Sequence, residues 1–185
     1  MTRYLKTAFI LFAISAVCTA LCAVVNEVTA PMIAANVEKD RIAALEAVSS
    51  GLAIGEEGEG NGSDIVSVIP LSDESGAVSA YILELKTTGY GGEMTVIASY
   101  RIDGSLMEAK LTTNSETPGL GKKAEESWYM EMFKGLGGDT PLPLSKSDLS
   151  ADDSAAVSGA SITFGGISSA LKNGSDYVKS LGGAV

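Results

Sequence analysis

The 185-residue chain carries 13 Lys+Arg against 23 Asp+Glu, is 45% hydrophobic but only 6% aromatic, and contains no histidine. Without histidine, Ser-His-Asp and Cys-His nucleophilic sites and His-ligated zinc or haem are excluded. A net charge of −10 offers no basic surface to a phosphate backbone, so nucleic acid is excluded as a partner, and the length allows one ordinary domain plus an appendage.

Residues 7–26 hold no charge and are apolar except for Thr7, Ser15, Thr19 and Asn26. At about 1.5 Å per residue such a helix spans roughly 30 Å, the hydrocarbon thickness of a bilayer. Arg3 and Lys6 precede the run and Glu27 follows it, so the positive-inside rule predicts a cytoplasmic tail over 1–6, a transmembrane helix over 7–26 and an extracytoplasmic body. The competing reading is a cleaved signal peptide, with Cys18-Thr19-Ala20 as its small-x-small site. Cys18 and Cys22, the only cysteines, share a helix face and read as small apolar residues of a packed span, against a thiol or metal role. The body therefore folds without disulfides.

All 23 acidic residues follow the span and meet eleven basic ones there, leaving the body with a net charge of −12. Thr29 reads as a helix cap with Pro31 in the first turn, and Ile33, Val37, Ala44, Leu45 and Val48 recur at helical spacing, so a stalk helix is expected over 27–50. The glycine-rich acidic stretch Gly55 to Asp64 has no apolar residue, and 51–64 reads as a flexible linker. Four antiparallel strands are predicted next: one from Ile65 to Ile69, one on Val78, Ala80 and Ile82, one from Met94 to Ile102, and one from Leu106 to Leu111 after the Arg101-Ile102-Asp103-Gly104 turn. Ala124, Trp128 and Met132 then mark a helix over 122–133, and 142–150 is a loop with two nearby prolines. A last helix is expected to start after Gly165-Gly166 and to stop at Gly182-Gly183. The fold class is α+β, with an antiparallel sheet covered by helices over 65–185.

Two short segments carry chemistry. Val157 to Thr163 (VSGASIT) combines small residues that admit close approach with the hydroxyls of Ser158, Ser161 and Thr163, ahead of a helix start, which suits a phosphate or serves as a capping loop. Glu116 to Gly121 (ETPGLG), with Gly89 to Gly92 (GYGG) upstream, reads alone as turn punctuation. Nothing in the pattern marks a catalytic residue or a metal site.

Taken together and in order, these segments resemble the G subunit of the Rnf electron-transport complex and the related C subunit of the sodium-pumping NADH:quinone reductase. The resemblance runs from the anchor through VTAPMIAANVEKDRIAALEAV, GYGGEMTVIASYRIDGSLMEAKL and SETPGLGKKAEESWYMEMF to SGASIT. It implies an FMN-binding domain whose flavin is joined through a phosphoester by a separate flavin transferase using FAD. Ser158, Gly159 and Ala160 match the family pattern and Ser161 stands where the acceptor threonine would be. Ala155 replaces the pattern's aspartate, and Asn114 occupies a place where the family often has histidine. Thr163, the second hydroxyl, is expected to bond the phosphate or cap the helix. Tyr90, Gly91, Glu116, Thr117, Gly119 and Leu120 are expected around the isoalloxazine ring, with Glu116 alternatively pairing at the surface with Lys122 or Lys123.

The resemblance further implies an electron-transfer subunit, not a stand-alone enzyme, partnered by other membrane subunits of an ion-translocating complex between ferredoxin and NAD, by the transferase during maturation and by the lipid bilayer. Two alternatives are a flavin-free membrane-tethered interaction module and an FMN domain serving another extracytoplasmic reductase.

Overall fold

The computed structural model describes residues 2–182; Met1 and 183–185, including Gly183 of the expected helix terminator, lie outside the described residues. The chain divides into two compact units, one ending at Asp40 and the other starting at Arg41. The predicted span and stalk belong to one helix, α1 (Thr2–Val48). Thr29 does not cap it: its hydroxyl donates to the Val25 carbonyl at 2.9 Å, and Pro31 lies inside the helix. Proline removes one ladder hydrogen bond, a loss that a helix of this length absorbs without ending there. Among the described residues α1 is the one helix long and apolar enough to cross a membrane. Phe9, Leu11, Phe12, Ile14, Val17 and Leu21 are exposed around it, an apolar surface of the kind that lipid solvates better than water.

The second unit is built on an antiparallel sheet. Two short strands, β1 (Ala53–Ile54) and β2 (Gly58–Glu59), both pair with β3 (Ile65–Ser72), and β3 leads through β4 (Val78–Gly89) and β5 (Gly92–Arg101) to β6 (Leu106–Thr113). The segment read as a flexible linker is therefore sheet edge. Arg41 reinforces it by donating to Glu57 at 2.5 Å and to Glu84 at 2.9 Å, and that guanidinium holds the Glu57 carboxyl below its usual range. Asn61 closes the following turn by accepting from the Ser63 and Ile65 amides.

Alternation along the strands feeds two cores. One face of the sheet offers Leu83, Leu85, Val96, Ala98 and Tyr100, and the opposite face offers Ile82 and Ile97. The second face is covered by Ala44 and Val48 from the last turns of α1, so β5 is buried on both sides and loses the half-exposed pattern of an outer strand. Past β6, a 3-10 turn (Gly121–Glu125) and α2 (Ser127–Glu131) replace the single helix expected over 122–133, because Glu126 between them is extended. The break changes the buried face from Ala124, Trp128 and Met132 to Ala124, Tyr129, Met130 and Phe133. A 3-10 turn (Lys146–Asp148) lies within the stretch 142–150 expected to be loop, and α3 (Ala151–Ala156), capped by the Ser150 hydroxyl, follows it and leads to α4 (Ser161–Gly182).

α4 starts at Ser161, ahead of the predicted start, because Gly165 and Gly166 lie within it. Gly166 is there for proximity: a Cβ at that position would stand 2.4 Å from the Thr88 carbonyl oxygen, and the Thr87 hydroxyl donates to the Gly166 carbonyl at 2.9 Å. Phe164, Ile167, Leu171 and Val178 form the buried stripe that seats the helix on the sheet, and Phe164 stacks on Phe133 with ring centroids 5.5 Å apart. Lower down, the Tyr100 hydroxyl donates to the Leu171 carbonyl at 3.0 Å, and burial pushes its ionisation far above the usual tyrosine range, so it stays a donor. A Cβ at Gly174 would meet that hydroxyl at 2.5 Å. Gly174→Ala is expected to destabilise the fold by about 1–3 kcal/mol through this overlap, although alanine favours helix, and a denaturant unfolding curve of the detergent-solubilised chain measures it.

Candidate functional site

An open cavity of about 640 Å³ lies where the β4–β5 hairpin tip, the loop after β6 and the first turn of α4 converge. Its wall includes Tyr90, Glu116, Thr117, Leu120, Ala160 and Ser161. Pairing in the hairpin runs to Gly89–Gly92, which leaves Tyr90 and Gly91 as a two-residue turn with Tyr90 75% exposed at its tip. In the loop after β6, Leu120 N–H donates to the Thr117 carbonyl at 3.2 Å across Pro118 and Gly119, with Gly119 at φ +77°. That is the residue pattern of a turn needing glycine at its third position, and it turns Leu120 toward Gly159, where a Cβ would come within 3.0 Å of the leucine side chain.

Glu116 holds the three segments together. Only 4% exposed, it accepts from the Gly91 amide at 2.9 Å through Oε1 and from the Thr163 hydroxyl at 2.8 Å through Oε2. Asn114 supports it by accepting from the Glu116 amide at 3.0 Å, so this residue has a structural duty in place of the titrating histidine. Two glycines make room for the carboxylate: a Cβ at Gly89 would stand 2.2 Å from Oε1, and one at Gly121 would stand 2.1 Å from Oε2. Glu116 does not pair with Lys122 or Lys123; Lys122 lies against Glu125 and Lys123 donates to the Ala156 carbonyl. Nearby, the buried Tyr129 hydroxyl has no hydrogen-bond partner among the described residues, and burial first, then the Glu116 charge, pushes its ionisation upward.

Thr163 corrects an expectation. It is 1% exposed and its proton is committed to Glu116, so it neither caps α4 nor points a hydroxyl proton at the cavity. Ser161 is different, being exposed on the first turn and lining the cavity. Phe164 N–H reaches the Ala160 carbonyl at 2.9 Å, so the helical ladder starts at Ala160 and the amides of Ser161, Ile162 and Thr163 are the orphan donors of the helix start. Of the residues predicted from sequence, Tyr90, Glu116, Thr117, Leu120, Gly159, Ala160, Ser161 and Thr163 line the cavity; Gly91 binds Glu116, whereas Ser158 and Gly119 are outside the lining. Sequence reasoning did not select Ile162, Gly121 or Lys146. Ile162 and Gly121 lay inside the quoted motifs without a role, and Lys146 sits in a loop with no periodicity to single it out.

Residues 89–176 match the FMN-binding domain, and residues 1–48 match the RnfG N-terminal region. The chain belongs to the RnfG-type family of FMN-binding subunits. Among its relatives, the G subunit of the ion-translocating oxidoreductase complex of Cereibacter sphaeroides is 37% identical over 40% of this chain and 34% of its own. The G subunit of the proton-translocating ferredoxin:NAD(+) oxidoreductase complex of Clostridium ljungdahlii is 27% identical over 56% of each chain. The Na(+)-translocating counterpart of Acetobacterium woodii is 28% identical over 90% of this chain and 87% of its own. The chain thus spans about a third and just over half of the first two relatives, at 34% and 56% of their lengths.

The residues present fit FMN. The volume falls within the roughly 300–1,000 Å³ of small-molecule clefts, with apolar surface from Tyr90, Leu120 and Ile162 and a few polar groups. At the α4 start, a hydroxyl, orphan amides and the positive end of the helix dipole suit a phosphate. Replacing Glu116 by alanine is expected to leave the Gly91 amide and the Thr163 hydroxyl unpaired and to lower stability by about 1.5–3 kcal/mol in equilibrium unfolding, with Glu116→Gln losing less because its carbonyl still accepts from one of them.

Proposed function

We propose that this chain is the membrane-anchored flavin carrier of an Rnf-type ion-translocating oxidoreductase, relaying electrons through an FMN joined to Ser161 by a phosphoester. The observation that carries the reading is the division of labour in the first turn of α4. Thr163 is buried and bonded to Glu116, while Ser161 faces the cavity with an exposed hydroxyl. Serine supplies the nucleophilic oxygen that the family's threonine would supply. In the transfer, Ser161 Oγ bonds to the FMN-side phosphorus of FAD, the P–O–P bond breaks, AMP leaves, and the serine proton passes to the transferase; nothing is oxidised or reduced.

The flavin supplies the redox chemistry, accepting and releasing electrons, while the protein supplies position and electronic environment. Tyr90 and Leu120 would flank the ring, Thr117 would offer a polar contact, and the buried Glu116 carboxylate would keep the pocket's two loops and its helix in one arrangement. Attachment through the phosphate leaves the ring free to meet its partners, which in this reading are other membrane subunits of the complex. The names of the relatives support ferredoxin and NAD(+) as the terminal electron carriers and either protons or sodium as the moved ion. A chain with one apolar helix would leave ion conduction to those other subunits.

Co-expressed with a flavin transferase, the chain should gain the mass of FMN less one water on the peptide bearing VSGASIT. Ser161→Ala should abolish that adduct and Ser161→Thr should keep it. Thr163→Val, which breaks the bond to Glu116 without touching Ser161, should retain the adduct at lower yield. An adduct that survives Ser161→Ala and disappears in Thr163→Val would move the attachment, and an unmodified chain in every case would favour the flavin-free module.

The anchor reading takes its direction from Arg3 and Lys6 before the span and Glu27 after it. The chain should stay in membranes through a carbonate wash, and protease added to the outer face of intact cells should remove the body. Release by the wash or protection from the protease would count against the topology.

A further inference from the structure

Lys146 has no role in the reading above. It opens the 3-10 turn Lys146–Asp148 and lines the same cavity as Ser161, where it is the one cation in the wall among the described residues. The turn is held by a reciprocal cap between Ser145 and Asp148. Asp148 Oδ2 accepts from the Ser145 amide at 2.9 Å and the Leu144 amide at 3.1 Å, and these bonds, the Ser145 amide first, hold its carboxyl below the ordinary range. The turn's own acid is thus directed at its backbone and forms no ion pair with Lys146. The one acid in the cavity wall, Glu116, has both oxygens engaged by Gly91 and Thr163.

This is unusual within the molecule. Eight of the ten lysines and arginines between 41 and 182 have an ion pair or a hydrogen bond; the exceptions among the described residues are Lys110 and Lys146. Lys110 lines a different cavity whose wall also contains Glu108, Glu125, Glu126 and Glu131. Lys146, in a body of net charge −12, has no carboxylate partner and borders a cavity that also receives the start of α4. Lys146 is exposed, and its ammonium, engaged by no protein carboxylate, is free to meet an anion in the cavity; the part of FMN that is anionic is its phosphate monoester.

We infer that Lys146 is the phosphate-recognising residue of this cavity, pairing with the FMN phosphate at Ser161 and making the site select phosphorylated flavin over riboflavin. The inference rests on the cavity being the flavin site. Its logic is that of a compact cation on a flexible stem, which follows an oxygen without imposing a fixed geometry. The hydroxyl of Ser161 and the orphan amides recognise the phosphate oxygens by hydrogen bonding, whereas Lys146 recognises their charge. Lysine is therefore a positioning residue, bringing the phosphorus to the serine while taking no part in electron transfer.

The test uses the full chain in detergent with Ser161→Ala, so that flavin binds without esterification, and free FMN and riboflavin as the two probes, followed by fluorescence quenching. FMN should bind roughly tenfold more tightly than riboflavin at low salt, and the advantage should shrink as salt rises. Adding Lys146→Met should cut the FMN advantage several-fold, leaving the part supplied by the helix-start amides, and keep riboflavin affinity in place, and Lys146→Arg should restore most of it. Full FMN preference in Lys146→Met, or an equal loss of both flavins there, would overturn the assignment. Binding of both flavins without preference in the chain that keeps Lys146 would overturn it while leaving the cavity as the flavin site. Failure of either flavin to bind that chain would instead count against the cavity itself and would remove the basis of the inference.

Discussion

The site depends on one buried carboxylate. Glu116 accepts one hydrogen bond from the hairpin turn through Gly91 and another from the first turn of α4 through Thr163. A charge-assisted bond of this kind is worth more than a neutral one because the acceptor would otherwise be stranded in a low-dielectric interior. The two partners lie far apart in sequence, so each bond closes a long loop. Without the carboxylate, the hairpin tip, the loop after β6 and the helix start would have no common point of attachment on that side of the cavity. The fold supplies rigidity on either side: β4 and β5 pair continuously from Ala80–Arg101 to Gly89–Gly92, and α4 is seated by Phe164 in a cluster with Tyr129 and Phe133.

Much of this was legible because the physics is local. Alternation of apolar residues located the four long strands, and Pro118-Gly119 gave the turn that the structure contains. The segments GYGG, ETPGLG and SGASIT assembled around one cavity, although their nearness in space comes from strand pairing that no single segment encodes. What was misread involves partners distant in sequence. Gly165 and Gly166 look like a helix boundary, yet they sit inside α4 because the helix must pass close to Thr88. The glycine-rich stretch before β3 looks unstructured, yet it pairs with β3 and is held by Arg41. Thr163 looked like a phosphate ligand or a helix cap because it matches the family's second hydroxyl position, and the buried Glu116, 47 positions upstream, redirects it.

On the proposed function, the arrangement would also separate two demands that a covalent carrier makes on its protein. Attachment needs a reachable nucleophile, and electron transfer needs a ring held in one orientation. Ser161, exposed on a helix start, would meet the first, and the paired loops bearing Tyr90 and Leu120 would meet the second. The hydroxyl that would compete for modification, Thr163, is withdrawn by burial and by its bond to Glu116. In that reading, specificity for one acceptor would be a property of the folded target as well as of the enzyme that modifies it.

The glycines that admit the carboxylate impose a constraint on how this sequence can drift. Gly89 and Gly121 lie against opposite oxygens of Glu116, with no space for a methyl group at either position. While the glutamate stays, neither glycine can be exchanged without displacing it, and Met94 beside Gly89 and the Thr163 hydroxyl beside Gly121 crowd the same two positions, so shortening the glutamate alone frees neither. The three positions are therefore sterically coupled, and a change at any one of them alters what the other two can hold.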